Sequence, residues 1–354
     1  MFFQTRYVSA AACVLTLAMI SGCERAAPVE WAFSDKVAEL PSEELQDELK
    51  AIVREHSGSV AEPALASHKA DDFDFSLHLK HGQAVYMKRC VQCHGVNGDG
   101  NGPTAVHMYP RPRDYTRAIF KFTSTPYGSK PRREDLVATV RRGITGTSMP
   151  SFDRISDKEV EAVVDYVLVL AQRGEIEYQL VMEADAAEEL DPEYVEEYVG
   201  DVVNGWKDAR SEETQPLTPQ PILNDELAAA GREAFLSKGC SKCHGNDGRG
   251  HTQDNIGEDS WGYATRAADL TSGMLHGGQR PIDIYRRILN GINGTPMPGF
   301  GRALQDEPDT IWNLVAYVLQ VSNRRRFNDP IPAGLMKPYD TAANTAASAE
   351  SETE

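Results

Sequence analysis

The sequence predicts an all-α chain that holds two tandem domains of one design. Three observations predict it. Residues 82–152 recur, feature by feature, as residues 231–300, so the chain contains an internal repeat offset by about 150 residues. The repeated segments have helical patterns that stop where helices stop: Glu134 to Arg142 ends at Gly143, and Ile282 to Asn290 ends at Gly291, as glycine C-caps. Each copy then closes with an apolar helical run, Val160 to Leu170 and Ile311 to Val321. Length agrees, because 354 residues suggest about two domains. A content of 41 % hydrophobic and 25 % charged residues excludes a chain that is disordered throughout. A net charge of −17 excludes nucleic acid as the main partner, because phosphate binding needs clustered Lys and Arg.

Taken in order, the chain opens with Arg6 as the only charge in its first 22 residues and an apolar run of 13 residues from Val8 to Ile20. That run is too short to span a bilayer and has the length of a signal-peptide core. It ends in Ile20-Ser21-Gly22-Cys23, which resembles the bacterial lipobox. Residues 1–22 are therefore expected to be a signal peptide and Cys23 the lipidated residue. The acyl chains would hold the protein on the periplasmic face of a bacterial membrane without a transmembrane helix. An ordinary signal peptide beside an incidental Cys is the plainer alternative. Residues 23–77 form a polar lead-in with one amphipathic helix, Ser42 to Glu55, whose face is Leu45, Leu49, Ile52 and Val53.

The first repeat unit is expected over residues 78–174 and the second over residues 225–326. Residues 175–224 form an acidic helical linker. Tyr194, Val195, Tyr198, Val199, Val202 and Val203 make its apolar face, with Asp191 as N-cap and Pro192 in the first turn. Ser211 to Pro221 reads as its extended part. Lys121 to Pro131 has no equal in the second unit and reads as a docking loop or as a decorated surface turn. Residues 327–354 are expected to be a disordered tail.

Cysteine usage carries the chemistry. With Cys13 in the signal and Cys23 in the lipobox, four of the six Cys remain, as Cys90-Val-Gln-Cys93-His94 and Cys240-Ser-Lys-Cys243-His244. This spacing reads as covalent haem c attachment: two thiols add to the porphyrin vinyl groups, and the adjacent His lies under the iron as proximal ligand. A thioredoxin-type redox pair does not explain His94 and His244. A four-Cys zinc site would need the two pairs to converge from opposite halves of the chain.

The surroundings of the two motifs match. Gly82 to Cys90 and Gly231 to Cys240 read as helices leading in. Gly95, Gly98 and Gly100 match Gly245, Gly248 and Gly250, and Pro112-Arg-Asp114 matches Ala267-Ala-Asp269. Gly143-Ile-Thr-Gly-Thr-Ser-Met149-Pro150 matches Gly291-Ile-Asn-Gly-Thr-Pro-Met297-Pro298. The two Met lie 55 and 53 residues after their His.

Each half resembles a class I cytochrome c domain. Together they resemble bacterial dihaem cytochromes c, with domains similar to those of haem-copper oxidase c-type subunits. The resemblance implies a small helical domain around each of two haems. It implies Cys90, Cys93, Cys240 and Cys243 as thioether links, His94 and His244 as proximal ligands, and Met149 and Met297 as distal ligands. It also implies a proline carbonyl as acceptor for the proximal His ring, a place that Pro112 fits in the first half and Ala267 takes in the second. Gly82 and Tyr86 are expected to meet Val163 and Tyr166, and Gly231 and Phe235 to meet Leu314 and Tyr317.

His78, His81, His107, His251 and His276 lie near the motifs without pairing between halves and are read as non-ligands. Met108, Met182, Met274 and Met336 are read as packing. Arg111, Arg113, Arg141, Arg142, Arg266 and Arg280 are candidates for propionate pairing only as a group, most being read as solvated surface.

Haem held by His and Met has both axial sites filled, and thioether ligation favours the ferrous form, so outer-sphere electron transfer is the expected role rather than enzyme catalysis. The expected partners are a quinol-oxidising complex or dehydrogenase on one side and a terminal oxidase on the other. A dihaem peroxidase and a fixed subunit of a larger oxidoreductase are the alternatives. The charge is uneven. Residues 78–174 carry +6 and residues 225–326 carry 0, whereas the lead-in from residue 24 carries −8 and the linker −12. The acidic segments are expected to fold against the basic first unit or to dock a basic partner.

Overall fold

The computed structural model describes residues 29–68, 72–250 and 252–327. The expected signal peptide, Cys23, His251, Met336 and nearly all of the expected tail lie outside the described residues.

The lead-in begins with a short turn of helix, α1 (Asp35–Ala38), and the amphipathic helix α2 (Glu43–Ser57). Ser42 caps α2 by accepting from the Leu45 amide at 3.1 Å. Leu45, Leu49 and Val53 are buried on one face, each burial worth roughly 1.5–3 kcal/mol. They share a core with the first repeat unit.

That unit consists of α3 (Phe73–Arg89), a single turn α4 (Val91–His94), α5 (Arg133–Arg142) and α6 (Asp157–Ala187). Ser156 and Glu159 form a reciprocal capping box at the start of α6. The closing helix is much longer than its apolar run: α6 has 31 residues and continues through the expected boundary at residue 174. The polar residues that disguised the continuation are satisfied by the lead-in. Arg173 pairs with Glu177 at 3.3 Å and donates to the Ala32 carbonyl at 3.1 Å. Glu177 accepts from the Ser34 amide at 2.7 Å, and Gln172 accepts from the Ser67 amide at 3.0 Å.

The linker helix α7 (Pro192–Asp208) starts at the Asp191 cap with Pro192 in its first turn. It buries Val199, Val202 and Trp206 in the same core, where the Trp206 ring meets Phe120 edge-on. The acidic lead-in and linker thus fold on the basic first unit, through their apolar faces.

The second unit has its own core. It repeats the plan as α8 (Asp225–Ser237), α9 (Cys240–His244), α10 (Pro281–Asn290) and α11 (Asp309–Phe327). It adds a small antiparallel pair, β1 (Ile256–Glu258) with β2 (Ala264–Arg266), in the register Gly257 opposite Thr265.

In both units the first and last helices cross at a glycine. A Cβ on Gly82 would lie 2.0 Å from the Ala162 carbonyl oxygen, and one on Gly231 would lie 1.9 Å from that of Asn313. Tyr86 then meets Tyr166 at 5.2 Å, and Phe235 meets Tyr317 at 5.1 Å. The aromatic partners are those expected. The glycines sit one residue earlier than expected, on Ala162 and Asn313 rather than Val163 and Leu314, because a glycine admits the backbone itself.

The segment 121–131 turns inward onto the second unit. Arg287 donates to the Thr123 carbonyl at 2.7 Å, Asn290 donates to that of Thr125 at 2.9 Å, and Gly128 N–H donates to Asn293 at 3.0 Å. It is not a free surface turn: its inner side clasps the two units, while Tyr127 at its tip stays exposed. The chain crosses beside it: Glu213 is held by Arg132 of the first unit at 2.9 Å and by Arg286 of the second at 2.6 Å.

Candidate haem sites

Each attachment motif is one helical turn. In the first, the amides of Cys93 and His94 both donate to the Cys90 carbonyl, at 3.1 and 3.0 Å. Residues three and four apart share a helix face, so both thiols and the imidazole emerge on one side. Gly95, with φ of 75°, turns the chain back, and the Gly100 amide closes on the His94 carbonyl at 3.0 Å. The second site repeats this, with the Gly250 amide on the His244 carbonyl at 2.7 Å.

The imidazoles are fixed by carbonyls. His94 Nδ1 lies 3.0 Å from the Arg113 oxygen, and His244 Nδ1 lies 3.1 Å from the Ala268 oxygen. With Nδ1–H donating, each ring leaves the Nε2 lone pair for a metal. Burial pushes the His94 imidazole down to about 4, against the bond to the Arg113 carbonyl, and His244 is also lowered by burial. Both rings are therefore neutral near pH 7, the state that ligates.

The acceptor expected at Pro112 is Arg113 instead, and the second half makes the same step from Ala267 to Ala268. Successive carbonyls of extended chain face opposite ways. The Pro112 carbonyl is packed on Gly100, where a Cβ would come within 2.6 Å of its oxygen. The next carbonyl then meets the His. Asp114 locks the segment by accepting from the Thr116 amide at 2.9 Å, and Asp269 does the same for Thr271 at 2.9 Å.

The thiols suit thioether formation better than redox exchange. Cys90, Cys93, Cys240 and Cys243 are unpaired. Burial pushes the Cys90 thiol up to about 12 and raises Cys240, opposite to a reactive dithiol. Thr104 donates to Cys93 Sγ at 3.5 Å and to the Gln92 carbonyl, steadying the motif. Among the described residues no group of three or more His, Cys, Asp and Glu converges, so the two pairs do not form one zinc site.

The methionine loops are superimposable in their bonding. Ile144 donates to the Met149 carbonyl at 3.1 Å, and Met149 N–H donates to Thr147 Oγ1 at 3.1 Å. Ile292 and Met297 repeat both bonds at 3.2 and 3.3 Å. Gly143 and Gly291 take positive φ, and a Cβ on either would strike the Pro150 or Pro298 backbone. Both Met are half-buried. The neutral imidazoles, the unpaired thiols on one face and the paired loops all fit a haem in each unit.

His78 pairs with Asp165 at 2.8 Å, His81 and His107 are exposed, and His276 lies against the first methionine loop at Gly146. Met182 and Met274 are about half exposed, and the side chain of Met274 packs against Gly146 of the first methionine loop. Arg141 is held by the Ile155 carbonyl and by Asp157, and Arg280 by Asp283. Arg113 is not solvated surface: its guanidinium stacks 3.6 Å from the Trp261 ring of the second unit. Sequence reasoning missed Trp261, because nothing in the first half repeats it.

Known proteins fit this description. Residues 78–167 match the family described as cytochrome c oxidase, cbb3-type, subunit III, and residues 228–322 match cytochrome c. The chain is 24 % identical over 218 residues to the cbb3-type cytochrome c oxidase subunit CcoP of Helicobacter pylori, covering 58 % of this chain and 50 % of that protein. It thus spans about half the length of those curated relatives. It is 27 % identical over 100 residues to cytochrome c6 of Cyanidioschyzon merolae, covering 28 % of this chain and 82 % of that protein. A solved chain of the reducing HAO-like protein complex of Kuenenia stuttgartiensis superimposes with a TM-score of 0.53 and 31 % identity, covering 68 % of this chain and 96 % of that one.

Proposed function

Since the chain belongs to the cytochrome c family, with two such domains that imply two covalent haem c groups, we propose that it moves single electrons between respiratory redox proteins. One observation carries this reading: both halves pair a neutral, carbonyl-anchored imidazole with an identically bonded methionine loop. We assign His94 with Met149 to one iron and His244 with Met297 to the other, within units 78–174 and 225–326. The haem supplies a reversible one-electron couple when bound. The protein's part is to hold each Nδ1 proton on a carbonyl and keep the imidazole neutral, with the His94 ring buried and the His244 ring half-buried.

The proposed setting is the periplasmic face of a bacterial membrane, held by lipid on Cys23. No helix among the described residues is long and apolar enough to cross a membrane. Cys23→Ala would then release the protein into the soluble fraction. The named relatives include an oxidase subunit and a chain of an HAO-like complex, which favours a place inside or beside a larger oxidoreductase. Co-purification from solubilised membranes distinguishes a bound subunit from a free carrier.

The test is spectroscopic. A pyridine haemochrome assay is expected to give two c-type haems per chain. The ferric protein is expected to be low-spin, with the weak far-red band of Met-to-iron ligation. Met149→Ala or Met297→Ala each removes half of that band. High-spin haem in the resting protein with rapid peroxide turnover would establish a peroxidase instead.

A further inference from the structure

The loop before β2 places Trp261 against both haem units at once. Its indole lies under Arg113, whose guanidinium carbon is 3.6 Å from the ring centre and whose carbonyl accepts from His94. The edge of its six-membered ring meets Gly294 of the second methionine loop, where a Cβ would come within 2.6 Å of its Cζ3. The contact is built, not incidental. Ser260 N–H donates to the Gly294 carbonyl at 3.0 Å, and Trp261 N–H donates to Asp259 at 3.1 Å. Asp259 in turn pairs with Lys121 of the first unit at 3.2 Å, and Arg117 donates to the Ser260 carbonyl. Trp261 Nε1 is buried with no protein acceptor.

We propose that Trp261 is the bridging residue for electron transfer between the two haems, joining the His94 side of the first to the Met297 side of the second. This rests on the dihaem reading above. With haem bound in both units, the exchange would carry one electron from the ferrous group to the ferric one, so oxidation and reduction balance with no added reagent. No proton moves, and no bond forms or breaks. The indole itself is not oxidised. A guanidinium over its face and the Lys121 ammonium 5.5 Å away oppose loss of an electron from the ring. The ring acts as a packed, conjugated contact in place of a gap or a water layer.

The experiment uses the full-length, haem-loaded protein, partly reduced, with exchange NMR on the haem methyl signals. This resolves the two haems and separates internal exchange, which is independent of concentration, from exchange between molecules. Trp261→Leu is expected to slow internal exchange severalfold and Trp261→Phe to slow it less, with both potentials and both far-red Met bands unchanged. Arg113→Gln keeps the backbone carbonyl on His94 while freeing the indole. It is expected to give an intermediate slowing even where Trp261→Leu folds poorly. Unchanged internal exchange in these variants, with both haems normally ligated, overturns the bridge and leaves the carrier reading standing. Slowing that merely tracks a change in the two potentials also overturns it, because Trp261 would then set driving force rather than contact. Haems without His and Met ligation in the parent protein would refute the carrier reading itself.

Discussion

Single residues show how far a sequence motif reaches. The CxxCH turns, the methionine loops and the aromatic crossings were legible because each needs particular side chains at particular spacings. The carbonyl on His94 was misplaced by one residue, as was the glycine contact at each helix crossing. Both errors involve backbone atoms, which every residue shares, so nothing in the sequence marks which one is used. The glycines themselves are testable. At Gly82 and Gly231 a methyl group would overlap the backbone of the partnering helix. Gly82→Ala and Gly231→Ala are each expected to cost about 1–3 kcal/mol through forced separation of the first and last helices. Thermal melts of the loaded protein check this. Because the two cores are separate clusters, each variant should weaken the haem band of its own unit first. Equal loss in both units would mean that the cores unfold only together.

At the scale of elements, the pairing of α3 with α6 holds a charge that depends on pH. Asp165 on α6 is almost fully buried and takes both forks of Arg133 at 2.7 Å and His78 Nε2 at 2.8 Å. Burial alone would raise its carboxyl, but the bonds from Arg133 and His78 outweigh burial and hold it below the ordinary range. A carboxyl with a depressed folded pKa contributes stability that is fully present above its unfolded pKa. That stability is lost as pH falls through the folded value. Asp114 and Asp135 are pushed the other way by burial, so the whole acid limb is not due to Asp165. The difference between parent and Asp165→Asn isolates it. The variant is expected to lose about 1–3 kcal/mol near pH 7. The loss should shrink as the melts are taken below about pH 4. A constant difference across pH would mean that Asp165 acts by packing alone. The sequence did not show this cluster, because His78 and Asp165 are 87 residues apart and each reads as ordinary helix surface. The length of α6 was hidden for the same reason. Arg173 and Glu177 look solvated until the lead-in covers them.

Across the whole molecule the charge has been redistributed by folding. The first unit reads as basic in sequence, yet many of its cations are already spent on partners inside the chain. Lys121 faces Asp259, Lys130 faces Glu175, Arg132 faces Glu213, Arg133 faces Asp165 and Arg173 faces Glu177. The acids on the outer faces of α2 and α7 are not so used: Glu43, Glu44 and Glu48 are exposed, as are Glu193, Glu196 and Asp201. The outer faces of α2 and α7 are therefore acidic where they meet solvent. Repeat arithmetic found the two units and the charge count found the uneven blocks, but neither could say which charges stay free. A small cationic electron donor should reduce the protein faster at low ionic strength and slow as salt is added. An anionic donor of similar potential should speed up with salt. Both effects should weaken once the screening length falls below about 10 Å, near 0.1 M salt. Stopped-flow reduction with the two donors over a range of salt measures the slopes. Slopes near zero for both donors would mean that electrons enter at a site outside the reach of the acidic helices. Slopes reversed from those expected would mean that the cations of the first unit dominate the point of entry despite their internal partners.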